Sequence, residues 1–364
     1  MAYDKHIPYN DLPDLHLNTG ELESPAILKS LTNATRNLAK LDGLCASLPD
    51  PALLINTIVL QESKESSSIE NIVTTQDELY IATTEESTQS QAAKEVLNYR
   101  QALYSGLQKM QEQQNIITSN TLIEVVKVVK QNNAGIRNAP GTALKNSITG
   151  EVIYTPPCCE DVIREKLSAL EKFINEENSH HDPILKMALI HYQFESIHPF
   201  TDGNGRTGRI LNALYLVQQQ LLSMPVLYLS SYIVKYKSDY YRLLKEVTEQ
   251  NNWKDWCMFM LTAVAETAKL TTENIQKILL LKETKKAELK KLFGNSYNSD
   301  LLDLMFTLPY LKIELLERKG IAQRQTASVY LKRLADANIL TPQKVGRTTY
   351  YVNHELMSLL SHSG

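Results

Sequence analysis

The sequence predicts a mainly α-helical protein with a β-hairpin inside its helical body and a helix–helix–helix–hairpin unit at its C-terminal end. Apolar residues recur at helical spacing over most of the 364 residues. Between Gly135 and Pro157, turn-forming residues separate two short β-prone stretches, which is typical of a hairpin. From about residue 300, three helical segments precede two β-prone runs around Gly346, the order of a winged helix-turn-helix.

Composition indicates a globular protein of two or three domains. Hydrophobic residues make up 43% of the chain and charged residues 22%. The net charge of −3 argues against a protein that coats nucleic acid. No run approaches the roughly 18 apolar residues that a membrane helix needs, and the first residues lack a signal-peptide pattern. The 4 cysteines show no CxxC spacing and predict a reduced, cytoplasmic protein.

Four segments are predicted along the chain. Residues 1–114 form an N-terminal helical region, and residues 115–265 form a core that contains the hairpin and a densely polar loop. Residues 266–294 are predicted to be a helical linker, and its lysine-rich stretch from Lys277 to Lys291 is predicted to be a solvated helix. Residues 295–364 form the C-terminal unit, whose small positive charge suits protein docking at least as well as DNA reading.

Two helices are predicted to flank the polar loop near residue 200. Asp182 and Pro183 are suited to the N-cap and the first position of a helix. This helix is expected to end at His198, because Pro199 disfavours the α conformation of the residue before it. After a glycine-rich turn, a second apolar helix is predicted from Arg206 to Leu222.

The loop between these helices carries groups that suit a bound phosphate. Gly203 and Gly205 let backbone N–H groups converge, and the positive N-terminus of the next helix points at the same place. Arg206 and Arg209 lie on one face of its first turn. Two cations there oppose the helix dipole unless an anion neutralises them, so the pattern favours an anion site over a plain turn.

Three further loop residues add chemistry around that anion. Asn204 is a neutral donor, and Asp202 offers an oxygen ligand of the kind that Mg²⁺ accepts. His198 has an ordinary pKa suited to accepting a proton near neutrality. A base, a metal ligand and a triphosphate cradle so close together predict phosphoryl or nucleotidyl transfer.

The loop His198-Pro-Phe-Thr-Asp-Gly-Asn-Gly-Arg-Thr-Gly-Arg209 resembles the Fic family motif His-x-Phe-x-(Asp/Glu)-Gly-Asn-(Gly/Lys)-Arg-x-x-Arg at every fixed position. The resemblance extends over about residues 1–265 and implies a protein adenylyltransferase, which moves AMP from ATP to a Tyr, Thr or Ser hydroxyl of a target protein. It implies that His198 is the general base, that Asp202 holds Mg²⁺ and that Phe200 anchors the loop.

The resemblance also implies which residues bind ATP. These residues are Gly203, Asn204, Gly205, Arg206, Thr207, Gly208, Arg209 and Tyr240. For Tyr240, simple core packing is an equally good interpretation. The predicted hairpin at 144–155 resembles the family's flap, which pairs with an extended target segment by strand addition. A C-terminal winged helix is also seen in some bacterial relatives.

The segment Ser66-Ser-Ser-Ile-Glu-Asn71 resembles the family's inhibitory motif, (Ser/Thr)-x-x-x-Glu-(Gly/Asn). Ser66 and Glu70 stand four apart on one helical face, and a carboxylate can pair with a guanidinium. The resemblance implies that Ser66, Glu70 and Asn71 form an inhibitory element, in which Glu70 occupies Arg209 and prevents a productive pose of ATP.

Two other functions stay open at the level of sequence. The same site could run in reverse, with Glu70 positioning a water that removes AMP from a modified protein. A candidate of another class is a DNA-binding regulator whose core senses nucleotide. Its phosphate contacts would be Arg324, Lys332, Arg333, Lys344 and Arg347. A homodimer is also left open, and the sequence does not identify the target protein.

Overall fold

The computed structural model describes residues 3–15, 22–48, 51–85, 90–133, 135–138, 141–145, 149–177 and 179–361, with backbone alone for 51–56 and 361. The protein is mostly helical, as predicted. The N-terminal helices are α1 (Pro25–Ala46), α2 (Pro51–Ile69), α3 (Gln76–Thr84), α4 (Gln91–Glu112) and α5 (Ser119–Lys130). The central helices are α6 (Glu160–Ile174), α7 (Pro183–Ile197), α8 (Asn204–Gln218), α9 (Leu229–Lys235), α10 (Lys237–Gln250) and α11 (Trp253–Phe293).

The predicted hairpin is present between α5 and α6. Strand β1 (Leu144–Lys145) pairs antiparallel with β2 (Val152–Tyr154). A two-stranded hairpin is marginal by itself. Here the hydroxyl of Tyr154 donates to the carbonyl of Ser196 at 2.8 Å, which ties the hairpin to the end of α7.

Helix α7 lies in the centre of the core and starts where the sequence predicts. The Asp182 carboxylate accepts from the backbone N–H of Ile184 at 2.8 Å, and Pro183 occupies the first turn. Helix α8 spans Asn204–Gln218, so the predicted bounds Arg206 to Leu222 are wrong at both ends. It begins earlier because Gly203 adopts the left-handed N-cap conformation, and a left-handed Gln220 (φ 56) prevents its continuation.

Helix α11 is a single helix of 41 residues that packs along α1 and α7. It crosses the predicted boundary between core and linker without a break. The prediction that its lysine-rich part is solvated is wrong for one face, where Ile278 and Leu289 are buried. These apolar residues recur at helical spacing between the lysines, so one stripe packs while the charged groups face water.

The C-terminal unit has the predicted order of three helices and then a hairpin. Its elements are α12 (Ser299–Thr307), β3 (Tyr310–Leu311), α13 (Ile313–Arg318), α14 (Arg324–Asp336), β4 (Thr341–Val345), β5 (Thr348–Val352) and α15 (His354–Ser361). The strands form an antiparallel sheet in the order β3-β5-β4. Strand β3 was not predicted, since two residues are too short to show a period.

The C-terminal unit docks on the end of α3. Lys312 pairs with Glu85 at 2.7 Å, and the hydroxyl of Tyr350 donates to the same carboxylate. The rings of Tyr80 and Tyr310 stack with centroids 6.5 Å apart. Among the helices of the described ranges, none has the length and apolar character that a bilayer crossing requires.

Candidate active site

His198 caps the C-terminal end of α7 in the left-handed conformation, with φ 49. Its N–H donates to the carbonyl of Phe194 at 3.0 Å, and its own carbonyl accepts from Nε of Arg137 at 2.7 Å. Arg137 also donates to the carbonyl of Pro157 at 2.5 Å. A non-glycine residue in this region is strained, and Arg137 is the side chain that fixes the turn.

The imidazole of His198 is in the state that a general base needs. Burial, reinforced by the charge of Arg137, lowers the pKa of His198 to about 4, and an interaction with the Glu195 backbone opposes this shift only partly. Its Nδ1 is buried and has no hydrogen-bond partner of good geometry among the described residues. The expectation of an ordinary pKa near neutrality is therefore wrong for the folded protein, because burial favours the neutral ring. At pH 7 the ring is neutral and able to accept a proton.

The loop after His198 is closed by a pair of hydrogen bonds. Oδ1 of Asn204 accepts from the N–H of Phe200 at 2.8 Å, and its Nδ2 donates to the carbonyl of Phe200 at 2.7 Å. Phe200 is fully buried, as expected for an anchor. Gly203 (φ 85) precedes α8 without any side-chain cap, so the first N–H groups of the helix are left for an anion. Both ends of the Asn204 amide are engaged in these two hydrogen bonds, so the contact between Asn204 and phosphate stays a prediction.

Arg206 and Asp202 form an ionic cluster at the rim of the loop. Nη1 of Arg206 lies 2.9 Å from Oε2 of Glu95, and Nη2 lies 3.7 Å from Asp202. Nζ of Lys130 lies 2.5 Å from Oδ2 of Asp202. Burial alone would raise the pKa of Asp202, but the hydrogen bond and charge of Lys130, followed by the charge of Arg206, lower it.

The Asp202 carboxylate is ionised and accessible, with 63% of its side chain exposed. Within the described ranges, no group of three or more His, Cys, Asp or Glu residues stands close enough to hold a metal ion. A single exposed carboxylate fits the way in which Mg²⁺ commonly joins few protein oxygens to substrate phosphates.

Two of the three guanidinium nitrogens of Arg209 are bound by residues at and just after the C-terminal end of α2. Its Nε donates to Oγ of Ser66 at 2.7 Å, and its Nη2 donates to the carbonyl of Ser66 and to Oε1 of Glu70, each at 2.8 Å. The Arg209 side chain is 2% exposed. Burial opposes the charged form, yet the pKa of Arg209 is raised because Glu70 stabilises the cation. The structure thus places Ser66 and Glu70 together on Arg209.

Asn71 and Gly205 make this approach of Glu70 possible. Asn71 adopts φ 62, a conformation that asparagine and glycine tolerate, in the turn that carries Glu70 just after the end of α2 at Ile69. A Cβ atom at Gly205 would collide with the Glu70 carboxylate. The glycine therefore provides the space in which the carboxylate lies against the first turn of α8.

Sequence reasoning missed a buried acid beneath the loop. Oε1 of Glu195 is buried without a hydrogen-bond partner among the described residues. Burial raises the pKa of Glu195 to about 7, although the charge of Arg209 opposes this. A Cβ atom at Gly208 would collide with Oε1, so the two residues are in close contact. The sequence did carry a signal for this residue, because Glu195 is the only acid in the mostly apolar segment that forms α7.

Two other predicted ATP contacts are covered by protein. Tyr240 is 2% exposed, and its hydroxyl lies 2.8 Å from Nε2 of His191. Its ring packs on Trp256 with centroids 5.7 Å apart. Thr207 is fully buried, with a hydroxyl that has no partner among the described residues. Binding of ATP by these residues stays a prediction.

Three family models match successive parts of this chain. The model described as Fic/DOC family N-terminal matches residues 28–108. The Fic/DOC family model matches residues 116–216, which include the whole loop. The model described as protein adenylyltransferase SoFic-like, C-terminal domain, matches residues 280–356.

Curated relatives resemble the chain over short stretches. Protein adenylyltransferase fic-1 of Caenorhabditis briggsae is 41% identical over 66 residues, which are 18% of this chain and 13% of that protein. The probable protein adenylyltransferase aq_aa38 of Aquifex aeolicus is 51% identical over 43 residues, 12% of this chain and 13% of that protein. The matches thus span about an eighth of the length of these relatives.

Solved structures share the fold over a longer range. A Fic family protein from Desulfovibrio desulfuricans G20 superposes with a TM-score of 0.60 at 19% identity, over 90% of this chain and 96% of that chain. Fic-1 from C. elegans superposes with a TM-score of 0.54 at 18% identity, over 71% of this chain and 75% of that chain. At such identities the likeness concerns the fold alone.

Proposed function

Since the chain belongs to the Fic family, we propose that it is a protein adenylyltransferase that moves AMP from ATP to a hydroxyl group of a protein. The observation that carries the proposal is a neutral imidazole next to the uncapped N-terminus of α8. The target hydroxyl gives its proton to His198, and its oxygen forms a bond to the α-phosphorus. The bond from that phosphorus to the bridging oxygen breaks, and pyrophosphate leaves.

Asp202 is the residue that would hold Mg²⁺ in this reaction. When bound, the ion would neutralise charge that develops on the phosphates. The ionised, exposed carboxylate of Asp202 supports this assignment. Lys130, which now pairs with Asp202, would then face the phosphates as a second cation.

We propose that Glu70 inhibits the enzyme. A γ-phosphate held by Arg209 would need the donors that Ser66 and Glu70 now occupy. ATP can therefore settle productively only after the carboxylate leaves. De-AMPylation by the same site is the alternative, in which Glu70 positions a water instead.

The hairpin offers a place for the target protein. Leu144 and Ile153 are large apolar residues on its strands, 36% and 38% exposed respectively. An extended segment of the target could pair with the free edge of such a hairpin through its backbone. These exposed side chains support the proposed flap. The pairing would decide which hydroxyl of the target reaches His198, and therefore whether a Tyr, Thr or Ser residue is modified.

We propose that the C-terminal unit is a winged helix that docks on protein. Of the basic residues that would read DNA, Arg333 is already engaged, since it donates to the carbonyl of Leu292 at 2.5 Å and lies over the ring of Phe293. The unit itself contacts Glu85 at the end of α3. A cytoplasmic location suits the four free cysteines.

Labelled ATP distinguishes the three functions. The wild type, Glu70→Gly and Glu70→Gly/His198→Ala are incubated with α-labelled ATP and a cell lysate. Transfer predicts stable label on protein, strongest with Glu70→Gly and absent without His198. Release of label from pre-modified protein by the wild type would favour removal of AMP, and saturable binding without either event would favour a nucleotide sensor.

A further inference from the structure

A cavity of about 500 Å³ lies between helices α2 and α4 and the C-terminal unit. Thr57 of α2 and Arg100 of α4 line it from one side, and Thr307 and Lys319 of the C-terminal unit line it from the other. Its volume falls within the range of small-molecule sites. It is separate from the loop 198–209, none of whose residues lines it.

Arg100 is the residue of the cavity that indicates a binding site for an anion. The side chain is half-buried, and it makes no hydrogen bond or ion pair with any described residue. Burial lowers the pKa of Arg100, which means that the surroundings disfavour its charge. Buried charges in proteins are normally paired, because desolvation of an isolated ion is costly.

A second group without a partner lines the same cavity, and this one is fully buried. Thr57 is 2% exposed, and its hydroxyl has no hydrogen-bond partner among the described residues. Lys319 adds a second cation, whereas no acidic side chain of the described residues lines the cavity. The amides of Asn98 and Gln101 complete a polar wall. Cations, a hydroxyl and amides without a carboxylate form an environment for a polar anion.

We propose that this cavity binds a small phosphate ester of about nucleotide size, with Arg100 as the main ligand of the phosphate group. A phosphate group carries up to two charges and three strong acceptor oxygens, which match two cations and neutral donors better than a carboxylate does. Lys319 contacts the same group or a second phosphate from the opposite wall.

The position of the cavity connects it to inhibition. Thr57 lies within α2, and Glu70 follows directly after its last residue, roughly 20 Å away at 1.5 Å per helical residue. A ligand that draws Arg100 and Thr57 together would bias how α2 sits against Arg209. This consequence rests on the proposed inhibition by Glu70, whereas the binding site itself does not.

Binding is tested on the full chain without any turnover. Inorganic phosphate, AMP and, as a carboxylate probe, acetate are titrated at constant ionic strength, and binding is followed by calorimetry and thermal unfolding. The variants are Arg100→Gln, Thr57→Val and the control Arg36→Gln, which removes an exposed arginine of α1. Every variant keeps the loop 198–209, so any binding there is common to all and cancels in the comparison.

We expect Arg100→Gln to weaken phosphate and AMP binding at the cavity at least about tenfold, as loss of a charge-assisted contact does. Thr57→Val should weaken it less, and Arg36→Gln should match the wild type. Without ligand, Arg100→Gln should unfold at the same temperature as the wild type or higher. The proposal would be overturned if Arg100→Gln bound phosphate and AMP as tightly as Arg36→Gln does. It would also be overturned if the wild type bound acetate as tightly as phosphate. If Arg100→Gln does not fold, Thr57→Val decides.

Discussion

Arg209 and Arg100 are both withdrawn from solvent, yet their surroundings are opposite. Three acceptors from Ser66 and Glu70 surround Arg209. Arg100 faces a cavity and has no hydrogen-bond acceptor among the described residues. Arg209 is predicted to bind phosphate, yet it already donates to Ser66 and Glu70, so the chain itself supplies groups that compete with its substrate. An unsatisfied cation has no such competitor among the described residues, so a group that pairs with it comes from solution.

The largest expected effect tests whether the region around Arg209 is catalytic. In the Glu70→Gly background, His198→Ala should lower AMP transfer by roughly 10²–10⁴-fold, because the target hydroxyl loses the group that accepts its proton. ATP binding, measured by calorimetry, should persist. His180→Ala, which removes an exposed histidine, is the control and should keep full activity. Near-normal transfer by the His198 variant would exclude it as the base.

The next effect comes from removing the competitor itself. Glu70→Gly should raise AMP transfer about 5–150-fold, the usual range of coupling between a regulatory group and a ligand. The gain arises because Arg209 is freed for the γ-phosphate. Adding Arg209→Glu should cancel it, since the freed site then lacks its phosphate ligand. Initial rates with α-labelled ATP measure both variants, and unchanged activity of Glu70→Gly would exclude inhibition by Glu70.

The position of the loop between two helices could be predicted from the sequence, because the residues that define it are adjacent in the chain. His198 at the helix end and Gly203 before α8 lie where the pattern placed them. The partners of the loop could not be predicted in this way. Glu95 and Lys130 reach Arg206 and Asp202 from helices far along the chain.

The same reasoning explains the errors in the rest of the fold. Strand β3 is too short for a period to appear. The bounds of α8 depended on Asn204, whose amide closes the loop and lets the helix start before the apolar pattern begins. The buried face of α11 was hidden by its lysines. In each case a tertiary contact decided what local composition left open.

Stability measurements sharpen the comparison of the two arginines. Arg209→Met should lower the free energy of unfolding by at least about 2 kcal/mol, because charge-assisted hydrogen bonds to Ser66 and Glu70 are lost. Arg100→Met should cause no loss, since an unpaired, half-buried charge is replaced by an apolar chain. Urea unfolding in phosphate-free buffer measures both. Equal destabilisation would mean that Arg100 has a protein partner after all.

The smallest effect concerns the turn that brings Glu70 to Arg209. Asn71 is in the left-handed region with φ 62. Most residues lose roughly 1–2 kcal/mol of stability there because of their Cβ atom, whereas asparagine tolerates the region and glycine has no Cβ atom. Asn71→Ala should therefore lower the free energy of unfolding by about 1 kcal/mol, and Asn71→Gly, the matched control, should not. Because the strained turn loosens the carboxylate, Asn71→Ala should also raise AMP transfer, though less than Glu70→Gly does. If alanine and glycine at this position behave alike in both assays, the left-handed turn does not hold the inhibitory contact, and the contact depends on Ser66 and Glu70 alone.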